Sequence, residues 1–148
     1  MKADNYIKIE FPSRSVNEGF ARAAAAAFAA QLDPTMEELG DIKTAVSEAV
    51  TNCIVHAYPD ELGKITMRLR ILKGGELEIS IKDTGRGIED VARAREPLFT
   101  TGGEERSGMG FTIMESFMDK LRVRSRPGKG TTVTMTRAIA RRGAQAHD

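Results

Sequence analysis

The chain has 148 residues, 41% of them hydrophobic and 29% charged, enough for one globular domain that buries about two-thirds of its unfolded surface around a single core. Its 22 basic and 21 acidic residues leave a formal charge of +1, too weak a field to imply nucleic-acid or membrane binding, so partner choice must be local. Cys53 is the only cysteine, which excludes a disulfide framework and points to a reducing compartment. With no signal-peptide layout at MKADNYIKIE and no apolar run of membrane length, a cytoplasmic protein is expected.

Tyr6, Ile7, Ile9 and Phe11 alternate imperfectly with Lys8 and Glu10, which reads as a first strand ended by Pro12. Ser13 or Ser15 offers an N-cap. Val16 to Leu32 then reads as a helix, with Phe20, Ala24, Ala27, Phe28 and Leu32 on one face. Its alanine run favours helix and keeps it thin, so close packing on a sheet or another subunit is expected. Asp33-Pro34 breaks the pattern, Thr35 can cap the next helix, and Glu38 completes a capping box.

The segment DIKTAVSEAVTNCIVHAY, residues 41–58, carries the strongest pattern. Leu39, Ile42, Val46, Val50, Cys53, Ile54 and Ala57 recur at three-and-four spacing, a buried stripe along an amphipathic helix. Glu48, Asn52 and His56 follow one another at i, i+4, i+8 and form a second row on its flank. Beside the small Ala45 and Ala49 they would make a polar edge with open space above it for a ligand. Taken alone, the row reads more simply as a solvated helix face.

After a turn at Gly63, Ile65, Met67, Leu69 and Ile71 alternate with polar residues as a half-buried strand. Gly74-Gly75 marks a tight hairpin, and Leu77, Ile79 and Ile81 give the returning strand, which runs into Asp83-Thr84-Gly85-Arg86-Gly87. Residues 88–107 have no sustained period beyond a short helical piece from Asp90 to Arg95. A loop of that length within a compact domain is usually a lid or binding element.

Ser107-Gly108-Met109-Gly110 opens another helix, with Phe111, Met114, Phe117 and Met118 as its buried face. Leu121 and Val123 begin a strand alternating with Arg122, Arg124 and Arg126, which lack interleaved aromatics and read as a solvated face. A turn over residues 127–130 leads to a last strand, Thr131 to Ala138, with Val133, Met135 and Ala138 turned away from Thr132, Thr134 and Thr136. Antiparallel strands with helices gathered on one face make an α+β fold, a two-layer sandwich. One domain over residues 1–140 and a disordered tail over 141–148 are expected.

Three pieces carry chemistry. Asp83 followed by glycines at alternate positions lets a strand end turn sharply while its carboxylate faces a ligand, although Asp-x-Gly alone is a common turn. Gly108 and Gly110 at a helix start would let phosphate approach backbone N–H groups, the plain alternative being a kinked turn. Arg106 adds a guanidinium beside them, or simply pairs with Glu104 or Glu105.

Together, Glu48 and Asn52, Asp83-x-Gly-x-Gly, the lid, Gly108-Met109-Gly110 and Gly128-x-Gly130-Thr131 resemble the asparagine box and the three glycine boxes of the GHKL ATPase and kinase superfamily. The resemblance covers nearly the whole chain. SEAVTNCIVHAY, REPLFTT and ERSGMGFTIMESFMD are similar to the anti-sigma-F factors of endospore-forming bacteria, a family of serine kinases.

The resemblance implies a Bergerat-type sandwich with a mixed, mostly antiparallel sheet. It also implies that Asn52 coordinates the Mg²⁺ of bound ATP and that Glu48 is the catalytic glutamate. Asp83 would read the adenine amine, and Gly85, Gly87, Gly108 and Gly110 would line the nucleotide. Thr101, Ser107, Met109 and Phe111 would flank it, Thr131 would lie near the base, and Arg106 would reach the γ-phosphate. Arg22, within NEGFAR, would face partners.

The implied activity is sequestration of a sigma-F-like sigma factor together with Mg-ATP-dependent phosphorylation of a serine on an anti-anti-sigma factor, by a chain that associates in pairs. Alternatives are a sigma-binding module shaped by ATP without turnover, another anti-sigma kinase of the superfamily, and an ATP-hydrolysing chaperone-like dimer. A histidine-kinase core fits poorly, because no helical hairpin carries a phosphoacceptor, His56 falls inside the nucleotide helix and His147 lies in the tail.

Overall fold

The computed structural model describes residues 3–88, 90–95 and 110–139. In chain order these form β1 (Ala3–Pro12), α1 (Val16–Ala29) with a 3₁₀ turn over Ala30–Leu32, and α2 (Met36–Asn52) with a π turn over Cys53–Ala57. There follow β2 (Lys64–Leu72), β3 (Glu76–Asp83), the short α3 (Val91–Ala94), α4 (Gly110–Phe117), β4 (Lys120–Arg126) and β5 (Gly130–Ala138). The five strands make one sheet in the order β1-β2-β3-β5-β4, and each of its four pairings is antiparallel. This is the α+β sandwich that the alternation and the resemblance imply.

Period-two patterning decides which face of the sheet is covered. Ile65, Met67 and Leu69 of β2, Leu77, Ile79 and Ile81 of β3, and Val133 and Met135 of β5 are all buried beneath the helices. Their neighbours of opposite parity form the other face, which no described helix covers. The β2–β3 hairpin closes through residues 73–75, where Gly74 and Gly75 take φ of 87° and 80°, a conformation that side chains rarely adopt. Ala138 shares the parity of the half-buried Thr132, Thr134 and Thr136 and is itself exposed, contrary to the expected facing; the buried residue there is Ile139.

The capping box forms as the sequence implies: Glu38 N–H donates to Thr35 Oγ1 at 3.0 Å, and Thr35 N–H donates to Glu38 Oε1 at 2.8 Å. Two expectations about helix faces need correction. On α1 the buried residues are Ala21, Ala25, Phe28 and Ala29, while Phe20 and Ala27 are exposed. Alanine gains little from burial, but it lets α1 lie close against α2, and that close contact sets the face. On α2, Ala45 and Ala49 are fully buried and not beneath open space, so the buried stripe is wider than its bulky residues suggest.

The helix ending at Leu32 is α-helical only to Ala29, and Asp33 turns the chain with a left-handed φ of 54°. Met114 and Met118 are buried beside Phe111, whereas Phe117 is half-buried. The expected helix start at Ser107, Gly108 and Met109, most of the expected lid and the tail 141–148 lie outside the described residues.

Two substitutions on α1 separate the expected face from the observed one. Ala25→Leu should cost about 1–3 kcal/mol by overpacking the α1–α2 contact, while Ala27→Leu should stay within about 0.5 kcal/mol. Urea midpoints measure both; a larger loss for Ala27→Leu would contradict the observed packing.

Candidate functional site

The site is built where α2 runs out. Asn52 is the last residue of α2, and the next five residues widen into a π turn closed by Tyr58 N–H donating to Cys53 O at 3.2 Å. Such turns concentrate at functional sites because they re-aim side chains without ending the helix. His56 lies within that turn. Its Nε2 is buried with no hydrogen-bond partner among the described residues. Burial first, and then the charge of Arg86, push its pKa below the ordinary histidine value, so the ring stays neutral.

Asn52 meets the start of α4. A Cβ on Gly110 would stand 3.2 Å from Asn52 Oδ1 and 3.3 Å from Nδ2, so any larger residue would press on the carboxamide and require it to shift by a few tenths of an ångström. Helix N–H groups and the carboxamide therefore share one edge, a place suited to anionic oxygens. Glu48 lies one turn earlier on α2 and is half-buried, and Phe111 is buried beside Gly110.

Asp83, the last residue of β3, is buried on the helix side of the sheet. Its Oδ1 accepts Gly85 N–H at 3.0 Å and Thr131 N–H at 3.2 Å. Its Oδ2 accepts the Cys53 thiol at 3.5 Å, a weak bond. Burial raises the Asp83 pKa, while the Gly85 N–H, the Cys53 thiol and the Thr131 N–H pull it back down. Burial, followed by the Asp83 charge, pushes the Cys53 thiol far up, which keeps it a protonated donor. One carboxylate oxygen is thus locked to backbone, and the other retains acceptor capacity for a ligand donor.

The backbone around Asp83 is held by close approach. A Cβ on Gly85 would stand 2.3 Å from Ala57 O in the π turn, and Arg86 N–H donates to that same carbonyl at 3.3 Å. Gly87, at φ 76°, lies against Arg126 O. The Tyr58 hydroxyl accepts Thr84 N–H and donates to Lys64 O, both at 2.7 Å. Thr131 contributes its N–H to Asp83, while its hydroxyl pairs with Ser125 Oγ at 2.7 Å.

The structure therefore brings Asn52, Gly110 and Phe111 together, and Asp83, Gly85, Gly87 and Thr131 together, with the π turn joining the two groups. Thr101, Arg106, Ser107, Gly108 and Met109 lie outside the described residues. Arg22 stands on α1, where Glu18 pairs with it at 3.5 Å and also accepts the Ser47 hydroxyl of α2, next to Glu48. Sequence reasoning missed Cys53, Tyr58 and Ser125 as supports of the site. The polar hydroxyl of Tyr58 at the foot of an apolar helix was the available signal. Among the described residues no three His, Cys, Asp or Glu cluster to hold a metal. A hard cation at Asn52 would have one carboxamide oxygen from these residues and would take the rest from a ligand and water, as Mg²⁺ sites commonly do.

Residues 11–137 match the family model of the histidine kinase-like ATPase domain. The chain is 59% identical over 142 residues to an anti-sigma F factor of Caldanaerobacter subterraneus subsp. tengcongensis, covering 95% of this chain and 99% of that protein. It is 53% identical to an anti-sigma F factor of Clostridium perfringens, covering 92% and 98%. The chain belongs to the anti-sigma F factor family.

Solved structures agree in fold. The RsbU and RsbW domains of a Mycobacterium tuberculosis protein superpose with a TM-score of 0.68 at 21% identity, over 91% of this chain and 32% of that one. The histidine kinase domain of a blue-light activated kinase of Erythrobacter litoralis gives 0.57 at 22% identity, over 88% and 65%. In this anti-sigma F family member the shared sandwich places Asp83 at a strand end and Asn52 at a helix end, facing the same π turn.

Because the folded Asp83 has a raised pKa, ionising it costs stability as the pH climbs through and above that value, and the cost is absent below the unfolded carboxylate range. Asp83→Asn keeps the Oδ1 acceptor and removes the charge. Its urea midpoint at neutral pH should equal or exceed that of the parent, with any advantage shrinking as the pH falls into the carboxylate range. A lower midpoint at neutral pH would contradict this account of Asp83.

Proposed function

We propose that this chain is an anti-sigma factor that binds a sigma-F-like sigma factor in sporulation. As a serine/threonine protein kinase, it uses Mg-ATP to phosphorylate a serine of an anti-anti-sigma factor. The observation that carries the reading is the Asn52 carboxamide set against the first turn of α4, with a buried, half-committed Asp83 across the π turn. Membership of the kinase-like ATPase superfamily supports it.

The residues divide the work. Asp83 Oδ2 accepts from the exocyclic amine of adenine, which favours ATP over a nucleotide with a carbonyl at that position. Phosphate oxygens lie against the N–H groups of α4 around Gly110, where the dipole favours negative charge. Asn52 would offer a carboxamide oxygen to Mg²⁺, which when bound would supply charge neutralisation. Glu48 accepts the proton of the attacking serine hydroxyl as the γ-phosphorus–oxygen bond to ADP breaks and the new serine ester forms. From the family resemblance, Arg106 would reach the γ-phosphate, and Thr101, Ser107, Gly108 and Met109 would flank the nucleotide.

Partner binding is placed on α1. Val16 and Phe20 are 77% and 55% exposed, one turn apart on one side of α1, and Arg22 is exposed farther round the helix. They fit an apolar contact with a second copy of the chain, with Arg22 presented to the sigma factor and the competing antagonist. The single buried cysteine suits the reducing cytoplasm.

Incubation with Mg-ATP and the antagonist tests the reading. Phosphoserine should form, Asn52→Ala should lose Mg-ATP affinity by calorimetry, and Glu48→Gln should keep affinity but lose about 10²-fold or more in transfer. Arg22→Glu should weaken both protein partners and leave ATP affinity unchanged. Absence of transfer by the folded parent would leave a binding module, and normal transfer by Glu48→Gln would remove that residue from the mechanism.

A further inference from the structure

The near-neutral total charge hides a segregation. Pairing registers place Lys8, Lys64, Arg68, Arg70, Lys82, Lys120, Arg122, Arg124 and Arg126 on the face of the sheet that no described helix covers. Among the described residues that the registers pair on this face, the carboxylates are Glu10, Glu76 and Glu78. Arg70 and Glu78 neutralise each other at 2.7 Å, which leaves the excess concentrated on the two flanks of a stripe of hydroxyls.

One flank is concave. A depression of about 270 Å³ opens between β1, β2 and β3, with Lys8, Lys64, Arg68 and Lys82 around it. Its floor carries the hydroxyls of Thr66, Ser80 and Thr132, with Thr84 at one end. Glu10 is the one carboxylate in the lining and is shared between Lys8 at 3.6 Å and Lys64 at 3.7 Å. Arg68 and Lys82 are exposed and make no ion pair among the described residues. Three positive charges are therefore in excess over a small polar basin.

We infer that this basin is a second anion site, taking a small oligophosphate such as pyrophosphate or tripolyphosphate. A guanidinium supplies forked donors to phosphate oxygens, ammonium groups supply mobile charge, and the hydroxyls donate from below. One phosphoryl group carries about −1.5 to −2, so the excess charge calls for at least two. The basin has no aromatic side chain in its lining, so it offers no platform for a base, and its size does not accommodate a duplex groove. Asp83 points to the opposite side of β3, so the site stands apart from the proposed nucleotide site and does not depend on it.

Nuclear magnetic resonance titration of the full chain with sodium tripolyphosphate, without magnesium, tests the inference. The amides of Thr66, Ser80 and Thr132 should shift together. Lys82→Ala and Arg68→Ala, both exposed and tolerant of truncation, should each weaken that binding about tenfold, the loss of one charge-assisted contact. Glu10→Gln should tighten it by removing the competing carboxylate. Shifts confined to Asn52, Gly85 and Gly110 would overturn the inference, as would unchanged affinity in Lys82→Ala. Binding of duplex DNA to this face without binding of tripolyphosphate would overturn it too.

Discussion

Backbone pressed on backbone, where the π turn meets the end of β3, is the constraint on which the rest depends. The Ala57 carbonyl occupies the space that a Gly85 side chain would need and accepts Arg86 N–H. That contact fixes the separation between the end of α2, which carries Asn52, and the strand end, which carries Asp83. An ordinary α-helical turn would carry residues 53–57 on a different path, and the two polar groups would lose their common edge. The alanine face of α1 lets α1 lie close against α2 and so helps to hold that helix in place.

Burial sets the bonding capacity of Asp83. Two backbone N–H groups hold Oδ1, so the carboxylate cannot rotate away, and the cost of burying its charge is met only in part. A donor from a ligand at Oδ2 would supply what the weak Cys53 thiol does not. On α1, Glu18 joins Arg22 to Ser47, the neighbour of Glu48. In the proposed function this ties the partner-facing arginine to the catalytic helix through one carboxylate.

Much of the fold was legible because large apolar residues report their own periodicity. Ile65 to Ile71 and Leu77 to Ile81 could be read as strands, Thr35 and Glu38 announced the start of α2, and Asn52, Asp83 and Gly110 were singled out as site candidates through their motifs. Features without hydrophobic weight were harder to read. Alanine carries little signal of its own, so Phe20 drew the expected face of α1 toward solvent, and Ala45 and Ala49 passed for a ligand edge. A π turn has no sequence period, so the widening over Cys53–Ala57 was not legible. The basic face escaped because alternate residues on separate strands add their charges only after the register brings them together.

The central claim is that a nucleotide bridges Asp83 and the Asn52–Gly110 edge across the π turn. A crystal structure of the chain with magnesium and a non-hydrolysable ATP analogue tests it most directly. The account predicts the adenine amine on Asp83 Oδ2, the phosphates against the first turn of α4 and the metal on the Asn52 carboxamide oxygen. A nucleotide bound elsewhere, or bound there with neither Asp83 nor Asn52 in contact, would contradict it.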